Sequence, residues 1–411
     1  CRPLDAPATV EVSIQMKFAF VTQSYPPDSC GVSHVVQSIC EKLVTYGHEV
    51  IVFTEWNERS RLEITGVLIR EYKIKGNYVE GYSGETERFK CELRNSECDV
   101  LVIECAQTWT LDLSLEEIPK KQCLKIFHSH DFSWFKRRSR NPIKNVKWAY
   151  YFWSLRNRFD EFDIIYCLSE TLPDFNFIKK FHKKTLKVLP NGVDDIYIND
   201  PLVTEGSVGY LPPTAKPYIV CLANYNILKN QKDVLDAYIK TSLNFDLVFV
   251  GSSINDYSRF LESYAKAAGV ADRVYFLSGL SKHEISIILR SAHLFAYASL
   301  WEAFPLVICE TIASGTPWVS YNVGCVRDLP GGVALSQNNP KTLAREISLL
   351  LNDPNRLADL RERCFAERKK FDNSHIVASF LDDVKRLSRL GSAHINEEDG
   401  TEQNPHGPRA R

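Results

Sequence analysis

Two acids, Glu302 and Glu310, stand seven residues apart in SLWEAFPLVICETIASGTPWVS, residues 299 to 320. The apolar run before them, His293 to Ala298, has the length and side-chain types of a buried strand. Pro305 suits a first helical residue, since its missing N–H costs nothing there, and Gly315-Thr316-Pro317 ends the segment after about three turns. Glu302 then lies in the loop before a short helix and Glu310 inside it. Helical side chains lean toward the N-terminus, so both carboxylates can approach the same helix end. Open N–H groups and the positive dipole end gather there and would hold a phosphate. Carboxylates beside a phosphate have a natural use as acceptors for sugar hydroxyls. For the pair alone, the competing reading is an exposed helix glutamate and an unrelated loop glutamate.

Other candidates come from other strand ends. Lys229 lies in ANYNILKNQKDV, residues 223 to 234, where it could offset diphosphate charge before a helix. A lone loop lysine is more often simply solvated, and its position after a strand is what raises it. HSHDF, residues 128 to 132, carries His128 and His130, which share one side if the strand before them continues. No third ligand is identifiable, so the pair is read as polar contacts and not as a metal centre. A histidine bonded to a neighbouring loop is the alternative for His130. Gly31 follows the first strand at a helix start, where backbone could approach a ligand closely, although a single loop glycine is usually just a turn.

The elements needed to position these groups are βα units. Lys17–Thr22, Glu49–Thr54, Asp99–Ile103, Leu124–Phe127 and Ile164–Leu168 read as strands in the first half, with helices at Val32–Tyr46 and Trp148–Phe159. The second half repeats the rhythm in strands 218–222, 246–250, 274–277, 293–297 and 318–320, alternating with helices near 230–241, 256–268, 281–291 and 305–314. Such alternation predicts α/β domains with doubly wound parallel sheets, which bind ligands at the carboxyl ends of their strands. Helices near 340–353, 355–369 and 375–390 complete the chain. The proline- and glycine-bearing stretch 201–217 reads as a linker. The predicted organisation is a leader or disordered segment over 1–15, since the only methionine is Met16, a first domain over 16–200, the linker 201–217, a second domain over 218–375, a final helix over 376–390 and a disordered tail over 391–411.

Composition narrows the classes. At 411 residues, 44% hydrophobic and 25% charged, the chain fits two globular domains, and a formal net charge of −1 gives no basic field for nucleic acid. The twelve cysteines include no C-x-x-C pair, and Cys105, Cys167, Cys221 and Cys309 lie in apolar runs, so free thiols in a reducing compartment are expected. No run reaches the length of a membrane span and no secretory signal opens the chain.

Ser299, Glu302, Glu310, Gly315-Thr316-Pro317 and Asn322-Val323-Gly324 together resemble the nucleotide-sugar site of family 4 retaining glycosyltransferases, including that family's pair of glutamates. PNGVD at 190–194 resembles the family's exit from the first domain, and the resemblance covers about 17 to 390. It implies the GT-B fold: two Rossmann-like, doubly wound parallel-sheet domains facing a central cleft, with the final helix crossing back to the first. It further implies that Glu310 binds the donor ribose and that Glu302 lies near the sugar and diphosphate. Lys229 would grip the diphosphate, and His130, with Asp131, would reach the donor sugar. Asn224 stands where the family has an arginine, and Ala303 and Pro305 where it has glycines. Phe276 to Leu280, with Leu277, matches the segment whose backbone meets the nucleobase. The implied site is thus catalytic His130, Glu302 and Lys229, with donor contacts at Gly31, Asn224, Lys229, Leu277, Ala303, Phe304, Pro305, Leu306 and Glu310. Neither metal nor cofactor is expected beyond a nucleoside-diphosphate sugar co-substrate.

The expected activity is sugar transfer to a glycan or lipid-linked acceptor with retention of configuration, as in polysaccharide biosynthesis. The rivals are a GT-B nucleotide-sugar epimerase, a sugar phosphorylase and a catalytically silent nucleotide- or carbohydrate-binding protein, the last favoured by Asn224, Ala303 and Pro305. Six Lys or Arg and no acid lie between Lys136 and Lys147, followed by Trp148, Tyr150, Tyr151, Phe152 and Trp153. This stretch reads either as a solvated loop before a core-facing helix or as a peripheral contact at 136–153 with an anionic membrane surface. The expected location is cytoplasmic, with the membrane's inner face as the alternative seat.

Overall fold

The computed structural model describes residues 15–28, 30–58, 63–136, 139–199, 214, 216–241 and 243–398. It has two large sheets. In the first, the strands run in the order Thr185–Val188, Ile164–Cys167, Leu124–His128, Val100–Glu104, Lys17–Val21, Glu49–Glu55, Val67–Tyr72 and Glu63–Ile64. All neighbours are parallel except the short last pair. The second has the order Val274–Ser278, Asp246–Gly251, Tyr218–Leu222, Leu294–Tyr297, Trp318–Ser320 and Gly332–Ala334, parallel throughout.

Burial on both faces explains the apolar strand sequences. Ala19, Val21, Leu101, Ile103, Phe127 and Ile165 face one layer, while Phe18, Phe20, Val100, Val102, Ile126 and Ile164 face the other. Side chains alternate along a strand, so both sets must be apolar when helices cover both sides. The second sheet divides in the same way, with Val220, Val248 and Phe295 on one face and Ile219, Leu247 and Leu294 on the other.

The final helix, Asn373–Glu398, lies on the first sheet. Ile376, Val377, Phe380, Leu381 and Val384 join the cluster that holds Phe18 and Val100, and Tyr166 OH donates to Asp383 Oδ2 at 3.0 Å. Each such burial stabilises by roughly 1.5–3 kcal/mol, enough to hold the returning helix there. The helix continues through residues 391–398, which were expected to be tail. Elongation from a packed helix adds one hydrogen bond per residue without a new nucleation cost, so polar composition did not end it. Residues 399–411 and the expected leader up to 14 lie outside the described residues, as does the expected linker apart from Thr214, Lys216 and Pro217.

Several first-half elements were not foreseen: strand Val67–Tyr72, the hairpin Ile74–Asn77 with Gly81–Gly84, and helix Thr86–Asn95. The aromatic helix runs over Pro142–Leu155, not Trp148–Phe159, because Asn141 caps it by accepting from Ile143 N at 2.9 Å and Pro142 takes its first turn. Tyr151 and Phe152 face the core as the plainer reading expected, yet Tyr150 and Trp153 are exposed. No helix among the described residues is long and apolar enough to cross a membrane.

Candidate functional site

Helix Leu306–Ala313 begins one residue later than the sequence implied, with Pro305 as its cap and not its first helical residue. At ψ 103° the Pro305 carbonyl turns inward and accepts from Ile308 N at 3.1 Å and Cys309 N at 3.4 Å. Leu306 and Val307 N–H have no backbone acceptor among the described residues, so two donors remain open at the positive end of the helix. Beside them, the Ala303 carbonyl accepts from Cys325 N at 3.1 Å. Gly324 is required here: its φ is +58°, and a Cβ would lie 2.3 Å from Ala303 O. Phe304 is buried beneath this turn.

Lys229 and Glu302 meet at the same place, Nζ to Oε1 at 2.6 Å, and Tyr297 OH donates to that same carboxylate oxygen. Their loops are joined by backbone, with Leu300 N donating to Leu228 O at 2.8 Å, and Ser299 Oγ bonds the same carbonyl at 3.2 Å. Asn224 is exposed at the end of strand Tyr218–Leu222, and its carbonyl accepts from Gln231 Nε2 at 3.0 Å. The Leu277 carbonyl, the group expected to meet a base, accepts from Tyr225 OH at 3.0 Å.

Glu310 is hydrogen-bonded to Tyr197. Burial, reinforced by the Asp194 carboxylate, pushes its carboxyl up to about 8, against the opposing pull of Lys282 and the Tyr197 bond. Lys282 forms an ion pair with Asp194, so a helix of the second domain is tied to the segment leaving the first. The domains also meet where a Cβ on Gly31 would stand 3.6 Å from Leu306 Cδ1, and where Ser169 Oγ donates to Asp328 Oδ2 at 3.2 Å. Leu306 therefore gives its backbone N–H to the helix end but its side chain to the first domain.

His130 sits beyond the carboxyl end of strand Leu124–His128 at φ +51°. The strand does not continue to it, yet its ring lies 4.0 Å from that of His128, and both imidazoles reach Glu104. His130 Nε2 is 2.6 Å and His128 Nδ1 3.2 Å from Glu104 Oε2. Sequence reasoning missed Glu104, having ended its strand at Ile103. The three residues bring potential ligand atoms within 4.8 Å of one another. Burial alone would raise the Glu104 carboxyl, but the two imidazoles outweigh it and hold it at about 2. Burial and the neighbouring His128 lower the His130 pKa, against the opposing pull of Glu104.

Residues 30–196 match the model described as Glycosyltransferase Family 4, and residues 207–369 the one described as Glycosyl transferases group 1. A D-inositol 3-phosphate glycosyltransferase of Salinispora tropica is 34% identical over 136 residues, 32% of this chain and 28% of that protein. An uncharacterized glycosyltransferase of Methanocaldococcus jannaschii is 22% identical over 82% of this chain and 90% of its own length. Among solved structures, sucrose-phosphate synthase from Thermosynechococcus elongatus superposes with a TM-score of 0.73 at 15% identity, covering 92% of this chain and all of that one. HepE of Anabaena, in complex with UDP and glucose, gives 0.68 at 19% identity, over 90% of this chain and 100% of its own. The two sheets and these likenesses establish the GT-B fold.

Proposed function

The chain belongs to the family 4-type glycosyltransferases of the GT-B fold, and we propose that it moves a sugar from a nucleoside-diphosphate sugar to an acceptor hydroxyl with retention of anomeric configuration. The observation that carries this reading is the meeting of Lys229 and Glu302 beside the open N–H groups of Leu306 and Val307. As the bond from the anomeric carbon to the diphosphate breaks, negative charge grows on the leaving oxygens. Lys229 and the helix end are the groups available to stabilise it, without need of a metal. Glu310 would hold the ribose and His130 the donor sugar, while Gly31 leaves room on the opposite side of the cleft. The solved HepE complexes with UDP and with UDP-glucose support this class of donor.

The acceptor is proposed to be a glycan or a lipid-linked sugar. A peripheral membrane contact through 136–153 belongs to the same reading, supported by the exposed Tyr150 and Trp153. A cytoplasmic location is supported by the free thiols of the eleven described cysteines. Turnover across a panel of nucleotide sugars, with and without candidate acceptors, tests the proposal. Donor consumption that depends on an acceptor supports transfer. Interconversion of the sugar without an acceptor would instead indicate an epimerase, and binding without turnover a silent protein.

A further inference from the structure

The group Glu104, His128 and His130 has a chemistry that the assignment of His130 alone does not explain. All three side chains are at least nine-tenths buried, and they come from two adjacent parallel strands and the loop that follows one of them. An ionised carboxylate can only accept hydrogen bonds. A nitrogen 2.6 Å from Glu104 Oε2 must therefore carry a proton, and in a neutral imidazole the other nitrogen then carries a lone pair. His128 Nδ1 lies 3.2 Å from the same oxygen, and its buried Nε2 has no hydrogen-bond partner among the described residues.

We propose that Glu104 is a positioning residue that fixes His130 as its Nε2–H tautomer, so that Nδ1 is offered to the substrate as a hydrogen-bond acceptor. The inference rests on the proposed seat of His130 at the donor sugar and extends it to the chemical class of the group received there. An acceptor nitrogen takes a hydroxyl hydrogen and repels a carboxylate, so the site favours a neutral, hydroxyl-bearing sugar over a uronate at that position. The backbone contributes as well. With φ at +51° in His130 and +73° in Asp131, the chain turns off the strand immediately after Ser129 and brings the second ring back over the first. Positive φ in a residue with a Cβ costs stability, and the bond to Glu104 is one interaction that offsets it. His128 Nδ1 lies 3.2 Å from the same carboxylate oxygen, and the two imidazoles hold the buried carboxyl low.

The test uses the full chain with 15N-labelled imidazoles, read by two-bond proton–nitrogen correlation, with His130→Gln identifying the His130 signal. The expected spectrum shows His130 protonated only at Nε2. Glu104→Gln, whose amide cannot accept from both rings, should shift His130 to a mixture of tautomers. With a donor that the panel shows to be turned over, the same variant should lower kcat at least about tenfold while nucleoside-diphosphate affinity stays within about twofold. Glu104→Asp, which keeps the charge, should restore part of the Nε2–H signal. A wild-type spectrum with the His130 proton on Nδ1 overturns the proposal without any Glu104 variant, as does an unchanged tautomer in folded Glu104→Gln. The two readings remain distinguishable. Full turnover by His130→Ala would remove His130 from the donor sugar while leaving the tautomer result standing. A large loss in His130→Ala with none in Glu104→Gln would sink the role of Glu104 alone.

Discussion

Lys229 Nζ lies 2.6 Å from Glu302 Oε1, so the cation expected to meet the diphosphate is already paired within its own domain. Both side chains are partly buried, at 29% and 11% exposure, and the lysine keeps further N–H donors for a ligand. Lys229→Ala should weaken a nucleoside diphosphate at least about tenfold, the loss of one charge-assisted bond of about 1.5–3 kcal/mol, and the nucleoside hardly at all. Glu302→Gln should do the reverse, tightening the diphosphate by releasing Lys229 while slowing turnover. Equal losses for nucleoside and diphosphate in calorimetry would reduce Lys229 to a structural role.

The raised pKa of Glu310 makes a separate prediction. Burial and Asp194 hold the carboxyl at about 8, above the ordinary value of 4.5. Between those two values the unfolded chain has released a proton that the folded chain still holds, so stability falls as pH rises through this window. Glu310→Gln removes that penalty. It should match wild type near pH 4 and exceed it by at least about 1 kcal/mol at pH 8 in denaturant unfolding. Nucleoside affinity of the wild type should rise as pH passes about 8 and the acid becomes a charged acceptor, whereas the variant should stay flat. A variant less stable at pH 8, or a flat wild-type affinity, would contradict the assignment.

The second domain was the more legible in the sequence because its strands are short apolar runs divided by well-capped helices. Ser281 and Glu284 form a capping box, and Asn255 caps its helix with Ser258 in the same way. The first domain hid Val67–Tyr72, where Arg70 and Glu71 interrupt the apolar pattern near the sheet edge. In the site, Lys229 and Glu302 could be named from their loops, but their pairing could not, since 72 residues separate them. Glu104 was invisible for a related reason. A glutamate at the end of an apolar strand looks solvated until a neighbouring strand is known to bring His128 and His130 beside it.

Gly31 gives a steric test of closure. A Cβ there would be at ordinary contact with Leu306, so Gly31→Ala should be tolerated, whereas Gly31→Phe should hold the domains apart. Nucleotide affinity should persist in Gly31→Phe, because the phosphate contacts proposed lie in the second domain, while turnover should fall at least about tenfold. Small-angle scattering should show the variant more extended than wild type. Unchanged turnover would mean that this contact is not part of the reacting geometry.

The last prediction concerns the face of helix Pro142–Leu155. Ile143, Val146, Tyr150 and Trp153 recur at intervals of three and four residues, which places them on one side, and they are 66%, 70%, 56% and 51% exposed. Their segment, residues 136 to 156, contains seven Lys or Arg and no acid. Arg137 and Arg138 lie outside the described residues. Lys144 is drawn to Glu80 at 2.9 Å, and Arg156 lies over the Trp153 ring at 5.0 Å. An apolar stripe flanked by cations suits an anionic bilayer surface, where each basic residue contributes roughly 1 kcal/mol. The protein should therefore sediment with phosphatidylserine-containing vesicles but not with phosphatidylcholine alone, and salt should weaken the association. Ile143→Glu with Trp153→Glu should abolish it, and Gln at Arg137, Arg138 and Arg140 should weaken it, with free-nucleotide affinity unchanged in both. Binding indifferent to lipid charge, or none, would make the stripe ordinary surface and favour a water-soluble glycan as acceptor over a lipid-linked one.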